Sequence, residues 1–469
     1  MTNPTIAAIA TPLGPGGIGI VRISGPSSYD ILLRLFKRHQ HTTGVASPLF
    51  SAGPICSHRV YYGNILEPET GAIIDEVLVI YMKAPKSYTR EDVVEIHSHS
   101  GFVVLDRLLS VVIDSGAMLA GPGDFTKRAF ISGRIDLSQA EAIIDLISAP
   151  CETAANMASQ QVTGGIRDIV ENLMTTLRAL QARCEARIEF SEIEADGNPV
   201  PGVCRDVRNN ILPTIAKLIQ RQKETAIYRE GLHLAIAGSP NVGKSSLLNK
   251  LVQREAAIVS EVPGTTRDIV REYLSINGVP VVLCDTAGIH ESQDPVECIG
   301  IEKARDQIQH SDMVLLVLDA TRMLNPFEEK LLEDVKKHNC IVVLNKEDLV
   351  QGSGLEELEK KLGKSTFVRV SAKYGNHIGQ LKALIFKDMV LGKGLDEGPG
   401  VTPNLRQRKL LEKTRDALQD LAGATGERLS IELVATVLNS AIDCLGMLSG
   451  KRGQEDLYDH IFSQFCIGK

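Results

Sequence analysis

The segment Gly238-Ser239-Pro240-Asn241-Val242-Gly243-Lys244-Ser245 fits the pattern G-x-x-x-x-G-K-[ST], with Ser246 following. Between a strand and a helix, such a segment cradles phosphate. Its glycines let backbone N–H groups curl around the oxygens, and the helix N-terminus adds positive potential. Lys244 is expected to reach the β- and γ-phosphates, and the Ser245 hydroxyl to ligate Mg²⁺. Two further segments follow in the order that phosphate chemistry needs. Gly264-Thr265-Thr266-Arg267-Asp268 offers a hydroxyl to complete the metal shell, with Thr266 the candidate. Asp285-Thr286-Ala287-Gly288 offers a carboxylate for a magnesium-bound water and a glycine amide for the γ-phosphate.

Base identity is carried by Asn345-Lys346-Glu347-Asp348. The Asp348 carboxylate can accept from both N1–H and N2–H₂ of guanine, donors that adenine lacks, and leaving it unpaired would be costly. Ser371-Ala372-Lys373 can add a backbone donor to the guanine oxygen. Either tetrapeptide alone says little. Their order and spacing behind the phosphate loop imply a guanine-nucleotide-hydrolysing enzyme. One group is missing: Ile289 stands where Ras-like enzymes place a water-orienting glutamine. Glu291, Asp294 and Glu297 are nearby carboxylates that chemistry alone does not rank.

The elements that must position these groups begin at Leu232. Apolar runs at Leu232–Ala237, Val279–Cys284, Met313–Leu318, Cys340–Leu344 and Phe367–Val370 alternate with helical stretches, which predicts a largely parallel sheet. Asn277-Gly278 predicts a hairpin that makes Glu272–Ile276 an antiparallel partner of the strand ending at Asp285. Helical sequence flanks this unit on both sides. Upstream, Asp136 and Gln139 form a capping-box start. Ile166, Leu173, Leu177, Leu180, Cys184 and Ile188 mark a buried helix stripe. The acidic Ser191–Val203 reads as a loop. Residues 1–120 mix β-like runs (Ile18–Ile23, Glu76–Met82, Val93–His97) with a helical pattern at Val103–Asp114, an α+β domain. The expected fold is thus multidomain, α/β and α+β. An N-terminal domain (1–120) precedes a helical domain (121–228 and 393–469), into which a nucleotide domain (229–392) is inserted.

Composition is that of an ordinary globular chain: 469 residues, 43% hydrophobic and 23% charged. No apolar run approaches the ~18 residues of a bilayer span, and the N-terminus lacks a basic segment and a signal-type core. These features predict a cytoplasmic protein without a membrane span. Nine cysteines without C-x-x-C spacing suggest neither zinc nor a disulfide framework. A formal charge of −7 gives no nucleic-acid signature, so RNA contact would need local basic patches or a second protein. His97 and His99 alternate on a strand, but two histidines without a third ligand are a weak metal signal.

Three further segments, ATPLGPGGIGIVRISGP, GPGDFTKRAFISGRIDLSQAEAIIDLI and the terminal FCIGK, closely resemble the MnmE (TrmE) family of tRNA-modification GTPases across nearly the whole chain. The resemblance implies an N-terminal folate-binding domain that forms a homodimer, a split helical domain and an inserted P-loop GTPase domain. It implies a flavin-dependent partner, MnmG (GidA), in a heterotetramer or larger assembly. It also implies a carboxymethylaminomethyl-type group placed on C5 of the wobble uridine of certain tRNAs, the carbon coming from a tetrahydrofolate in its 5-formyl or methylene form. It places a potassium ligand on Asn241 and potassium-loop carbonyls on Ser260, Val262 and Thr265, within the nucleotide- and cation-lining loop that includes Glu261, Pro263 and Gly264. The water-positioning glutamate falls on Glu297, and hydrolysis is expected to be potassium-stimulated. Folate contacts fall on Arg22, Glu95 and Lys469, with Arg134 where a basic residue is expected, and Cys466 is a candidate thiol in the modification step. The sequence departs from the family pattern at Gly14-Pro15-Gly16-Gly17 and His99-Ser100-Gly101. Arg22 and Glu95 can also be read as a structural ion pair, and the tail as a disordered terminus. The competing function is an RNA- or ribosome-associated regulatory GTPase switch.

Overall fold

The computed structural model describes residues 3–39, 50–51, 54–189, 198–252, 273–276, 278–283, 309, 311–350, 354–363, 365–389, 400–423, 429–452 and 455–469. Two compact units are present. One comprises Met1–Ile144, Val162–Arg205 and Asp416–Lys469, the other Asp145–Gln161 and Asp206–Arg415.

The first unit is built on an eight-stranded sheet. Its strands are β1 (Ile6–Ile9), β2 (Gly16–Ser24), β3 (Phe36–His39), β4 (Phe50–Ser51), β5 (Val60–Leu66), β6 (Ile73–Met82), β7 (Val93–Ser100) and β8 (Met118–Leu119). They lie in the order β4-β3-β5-β6-β7-β2-β1-β8, antiparallel except for the β1–β8 pair. Side chains alternate across a strand, so Val21 and Ile23 of β2 and Val94 and Ile96 of β7 face the core. There they meet Ile31, Leu32, Leu105, Leu108 and Val112 of the helices Ser28–Leu35 and Phe102–Asp114. Arg22 and Glu95 fall on the other face, directly opposite each other in register.

The helical part of this unit contains the expected capping box. Asp136 Oδ1 accepts from the Gln139 amide at 2.9 Å, and Gln139 Oε1 accepts from the Asp136 amide at 3.1 Å. The long helix Gly165–Glu189 buries Ile166, Leu173, Leu177, Leu180 and Cys184, while Ile188 is exposed. The helix Ile431–Ser449 packs on it, burying Val434, Leu438, Ala441, Ile442 and Leu445. This 19-residue helix, of mean hydropathy 1.6, is long and apolar enough to cross a membrane by length and composition alone, a test that a core helix also passes, and it carries Glu432 and Asp443. Its buried residues are those that pack within this unit, where it meets Gly165–Glu189. The structure corrects one loop expectation, that for Ser191–Val203. Residues 191–197 lie outside the described residues, but Val200–Asp206 is helical, because Val200, Val203, Cys204 and Val207 recur at helical spacing and are buried.

The second unit carries a six-stranded sheet. Its strands are β9 (Leu232–Ala237), β10 (Tyr273–Ile276), β11 (Val279–Leu283), β12 (Met313–Asp319), β13 (Cys340–Asn345) and β14 (Phe367–Arg369), in the order β10-β11-β9-β12-β13-β14. All neighbours are parallel except the β10–β11 hairpin, where Ile276 faces Val279 across a two-residue connection and Gly278 takes φ +80°. Helices cover both faces, so β12 is buried along its whole length, as a central parallel strand must be. In chain order the sheet lies between the helices Leu212–Glu230 and Leu405–Gly423. The β12–β13 register ends on Asp319 opposite Asn345, bringing two polar side chains to the carboxyl edge of an apolar sheet. That edge is where ligands of open α/β sheets bind.

The capping carboxylate generates a stability prediction. Asp136 Oδ2 is buried without a hydrogen-bond partner among the described residues. Burial pushes the carboxyl above its ordinary value, against the opposing bonds from Gln139 and Ser138. The cap itself contributes about 1 kcal/mol, so Asp136→Ala should lower stability by that amount while Asp136→Asn retains most of it. A raised folded value means the folded chain binds the proton more tightly than the unfolded one. Wild type should therefore gain stability relative to the Asn variant as pH falls through that value. Thermal unfolding across mildly acidic to neutral pH tests this, and parallel pH profiles of the two proteins would contradict it.

Candidate nucleotide site and C-terminal tail

The loop after β9 is shaped by backbone constraint. Gly238 and Gly243 take φ +149° and +94°. A Cβ at Gly238 would run into the carbonyl oxygen of Val317, and one at Gly243 into the Asn345 side-chain nitrogen. Asn241 also adopts a left-handed conformation, φ +62°, and is exposed. Val242 is buried and anchors the loop. Lys244 opens the helix Lys244–Val252, and its Nζ donates to the carbonyls of Gly238 and Ser239 at 2.9 and 2.8 Å. Burial lowers the Lys244 pKa. Ser245 and Ser246 are exposed on the first turn.

The end of β13 is tied to this loop. Asn345 is buried; its Nδ2 donates to the Val242 carbonyl at 2.8 Å, and its Oδ1 accepts from the Ala372 amide at 2.9 Å. Lys346 follows at φ +67° and its Nζ pairs with Asp319 Oδ2 at 2.7 Å. Burial pushes the Asp319 carboxyl up, but the bonds from Lys346 and Thr321 outweigh it and hold the carboxyl below its usual value. Asp348 stands exposed, its Oδ1 accepting from the Ser371 hydroxyl at 2.5 Å. Lys373 is exposed with its Nζ 5.1 Å from the Tyr374 ring centroid. The structure thus gathers the phosphate loop, Asn345, Lys346, Asp348 and Ser371–Lys373 at one edge of the sheet. The sequence reading missed Asp319, whose signal was an acidic residue ending an otherwise apolar run. Ser260, Glu261, Val262, Pro263, Gly264, Thr265, Thr266, Asp285, Thr286, Ala287, Gly288 and Glu297 lie outside the described residues, as do Ile289, Glu291 and Asp294.

A second constellation forms in the first unit, around the chain terminus. Arg22 pairs with Glu95 Oε1 through Nε and Nη2, both at 2.9 Å, and its Nη1 donates to the Gly468 carbonyl at 3.0 Å. The tail is docked: Ile467 bridges Pro122, and Gly468, at φ +91°, lies so close to Ile9 that a Cβ would strike its carbonyl oxygen. Phe462 and Phe465 anchor it from below, stacked at 5.7 Å and buried. Cys466 is exposed, and Lys469 is half-buried with its amide donating to the Cys466 carbonyl at 3.4 Å. Arg134 lies nearby through Tyr88, donating to its carbonyl at 3.2 Å with its guanidinium 4.7 Å from the ring centroid. His97 and His99 are each taken by a carboxylate, Glu95 at 3.4 Å and Asp75 at 2.8 Å. Among the described residues no group of three or more His, Cys, Asp and Glu is placed to hold a metal.

Comparison with known proteins matches residues 5–134 to the "GTP-binding protein TrmE N-terminus" family and residues 137–466 to the "MnmE helical domain" family. The chain belongs to the MnmE family. This MnmE-family chain is 39% identical to the tRNA modification GTPase MnmE of Carboxydothermus hydrogenoformans, over 100% of both chains. It is 40% identical to that of Geobacillus thermodenitrificans, over 99% of both. Among solved structures, the G domain of the T. maritima FeoB iron transporter matches at 27% identity and a TM-score of 0.25. That match covers 33% of this chain and 97% of the other.

The close approach of Gly243 to Asn345 can be tested directly. In this MnmE-family chain Gly243→Ala places a methyl group against the Asn345 amide at a backbone angle that alanine resists. Affinity for a fluorescent GTP analogue should fall at least about tenfold, the equivalent of about 1.4 kcal/mol. The far-UV circular dichroism should stay unchanged. Wild-type affinity in the alanine protein would show that the contact does not shape the loop.

Proposed function

We propose that this protein hydrolyses GTP to drive tRNA modification in the cytoplasm. Together with a flavin-dependent partner of the MnmG (GidA) type, it adds a carboxymethylaminomethyl-type group to C5 of the wobble uridine of certain tRNAs. The observation that carries the nucleotide half is Asn345, which locks the phosphate loop to the base-reading turn by two hydrogen bonds. The MnmE names of full-length relatives support the tRNA half.

Lys244 and the loop amides bind the β- and γ-phosphates, and Asp348 reads guanine with the Ala372 region. Ser245 and Thr266 supply oxygen donors suited to Mg²⁺, and Asn241 with the carbonyls of Ser260, Val262 and Thr265 suits K⁺. The exposed Ser245 and Asn241 beside Lys244 fit that assignment. These ions supply positive charge to the phosphates, and Glu297 orients the attacking water. Arg22, Arg134 and Lys469 offer donors, and Glu95 an acceptor, that fit a tetrahydrofolate's carboxylates and pterin edge; the folate supplies the one-carbon unit. Cys466, exposed beside Lys469, is the thiol available to the modification step. The domain division is 1–120, 121–228 with 393–469, and 229–392. The N-terminal sheet supports a homodimer, since Val60, Tyr62 and Leu78 lie exposed on it.

Two measurements test this reading. Asp348→Asn should weaken GTP binding by roughly 1.5–3 kcal/mol, the worth of a charge-assisted hydrogen bond, and shift preference toward xanthosine triphosphate. Incubated with the partner, a folate and tRNA, that variant should regain the modified nucleoside when xanthosine triphosphate replaces GTP; equal product with GTP in both proteins defeats the assignment. Separately, GTP hydrolysis should be faster in K⁺ than in Na⁺. Glu297→Ala should slow it without changing GTP affinity, and equal rates in the two salts or a full-rate alanine protein would remove the corresponding residue role.

A further inference from the structure

We propose that Tyr88 is the positioning residue that holds Arg134, beside the Arg22–Glu95 pair, for a carboxylate of a tetrahydrofolate. The inference rests on the tetrahydrofolate reading and names a residue that no sequence motif singled out.

The two arginines come from separate elements, β2 and the turn that follows the helix Asp124–Ile131. Their guanidinium carbons lie 5.9 Å and 4.7 Å from the centroid of the same Tyr88 ring, and that of Arg22 also lies 5.7 Å from the ring of Phe125. These distances are within the range in which a cation is drawn to an aromatic face.

The ring is also held still. Its hydroxyl shares a 2.9 Å hydrogen bond with the hydroxyl of Thr126, which is fully buried, and it packs on the cluster Ile6, Ala8, Ala120 and Phe125. The loop that carries it is fastened on either side. Ser24 binds Thr89 and Glu91, both at 2.7 Å, and Arg128 pairs with Glu91 at 2.7 Å. Arg90 donates to the Ser132 carbonyl at 2.9 Å, two residues before Arg134. A platform fixed in this way limits the ordering that ligand binding would otherwise require.

The charges then divide the work. Glu95 offsets the Arg22 charge, and Arg22 also grips the tail through the Gly468 carbonyl. Arg134 is exposed and, among the described residues, forms no ion pair. Its guanidinium has five N–H donors, of which one binding nitrogen is used on the Tyr88 carbonyl. The remainder suit a carboxylate, and folates carry two on their glutamyl group.

Calorimetric titration of the full-length protein with 5-formyltetrahydrofolate tests the assignment. Tyr88→Leu should weaken binding about tenfold, and Tyr88→Phe, which keeps the ring and loses the hydroxyl, should stay within about threefold of wild type. GTP hydrolysis, measured alongside, should be unchanged in both. Arg134→Met should weaken binding by a similar factor, and combining it with Tyr88→Leu should add little further. If the leucine protein does not fold, the exposed Arg134→Met substitution carries the comparison alone, and wild-type affinity there overturns the proposal. Equal affinity of Tyr88→Leu and wild type also overturns it. So does a phenylalanine protein as weak as the leucine one, since the hydroxyl anchor to Thr126 would then be the whole role of Tyr88. A wild-type protein that takes up no folate at all defeats the cofactor reading itself, an outcome separable from the others.

Discussion

The buried side chain of Asn345 is the joint on which the nucleotide edge depends. A carboxamide taken out of water must have its groups paired, or each orphan costs about 1–3 kcal/mol. Here the nitrogen is used on the Val242 carbonyl and the oxygen on the Ala372 amide. One loop carries Gly238 and Gly243 and the other Ala372, so neither can shift without leaving a buried partner unpaired. Gly243 is required by the same contact, because any side chain there would occupy the space of the Asn345 amide. The sheet sets this up: Asn345 ends β13 in register with Asp319 at the end of β12, and Asp319 in turn fixes Lys346.

The first unit solves a comparable problem with a charge. Arg22 sits on an inner strand, where its alternation places it off the core face and opposite Glu95. The pair neutralises itself, which leaves one guanidinium nitrogen to take the Gly468 carbonyl. The tail can come that close only because Gly468 lacks a side chain, and it is kept there by Phe462 and Phe465 below it. Docking of the last residues is therefore a consequence of ordinary core packing at the phenylalanines and backbone contact at the glycine. It brings Cys466 and Lys469 to the Arg22 side of the sheet with no interaction of their own being needed.

Most of the architecture could be read from the chain because it rests on local signals. The parallel strands announce themselves as apolar runs, the hairpin as Asn277-Gly278 and the helix start as Asp136 with Gln139. What the sequence hid was set by tertiary context. Val200–Asp206 reads as loop because acidic residues precede a helix of few turns. At the sites, residues 238–245, 345–348 and 371–373 could be picked out because each is a contiguous motif with fixed spacing. Asp319 and Tyr88 were not, because each acts on a residue far away in the chain, Lys346 and Arg134 respectively.

The two constellations differ in how their cations are held. Lys244 is half-buried, its pKa lowered by that burial, and its donors rest on the carbonyls of Gly238 and Ser239. Those are neutral acceptors, so a phosphate oxygen, being charged, competes for the same donors on favourable terms. Arg22, in contrast, already has a carboxylate, and exchanging it would strand Glu95 on a half-buried face. The first arrangement leaves the cation free to exchange one acceptor for another. In the second arrangement the cation is fixed between Glu95 and the docked tail, while Arg134 stays exposed.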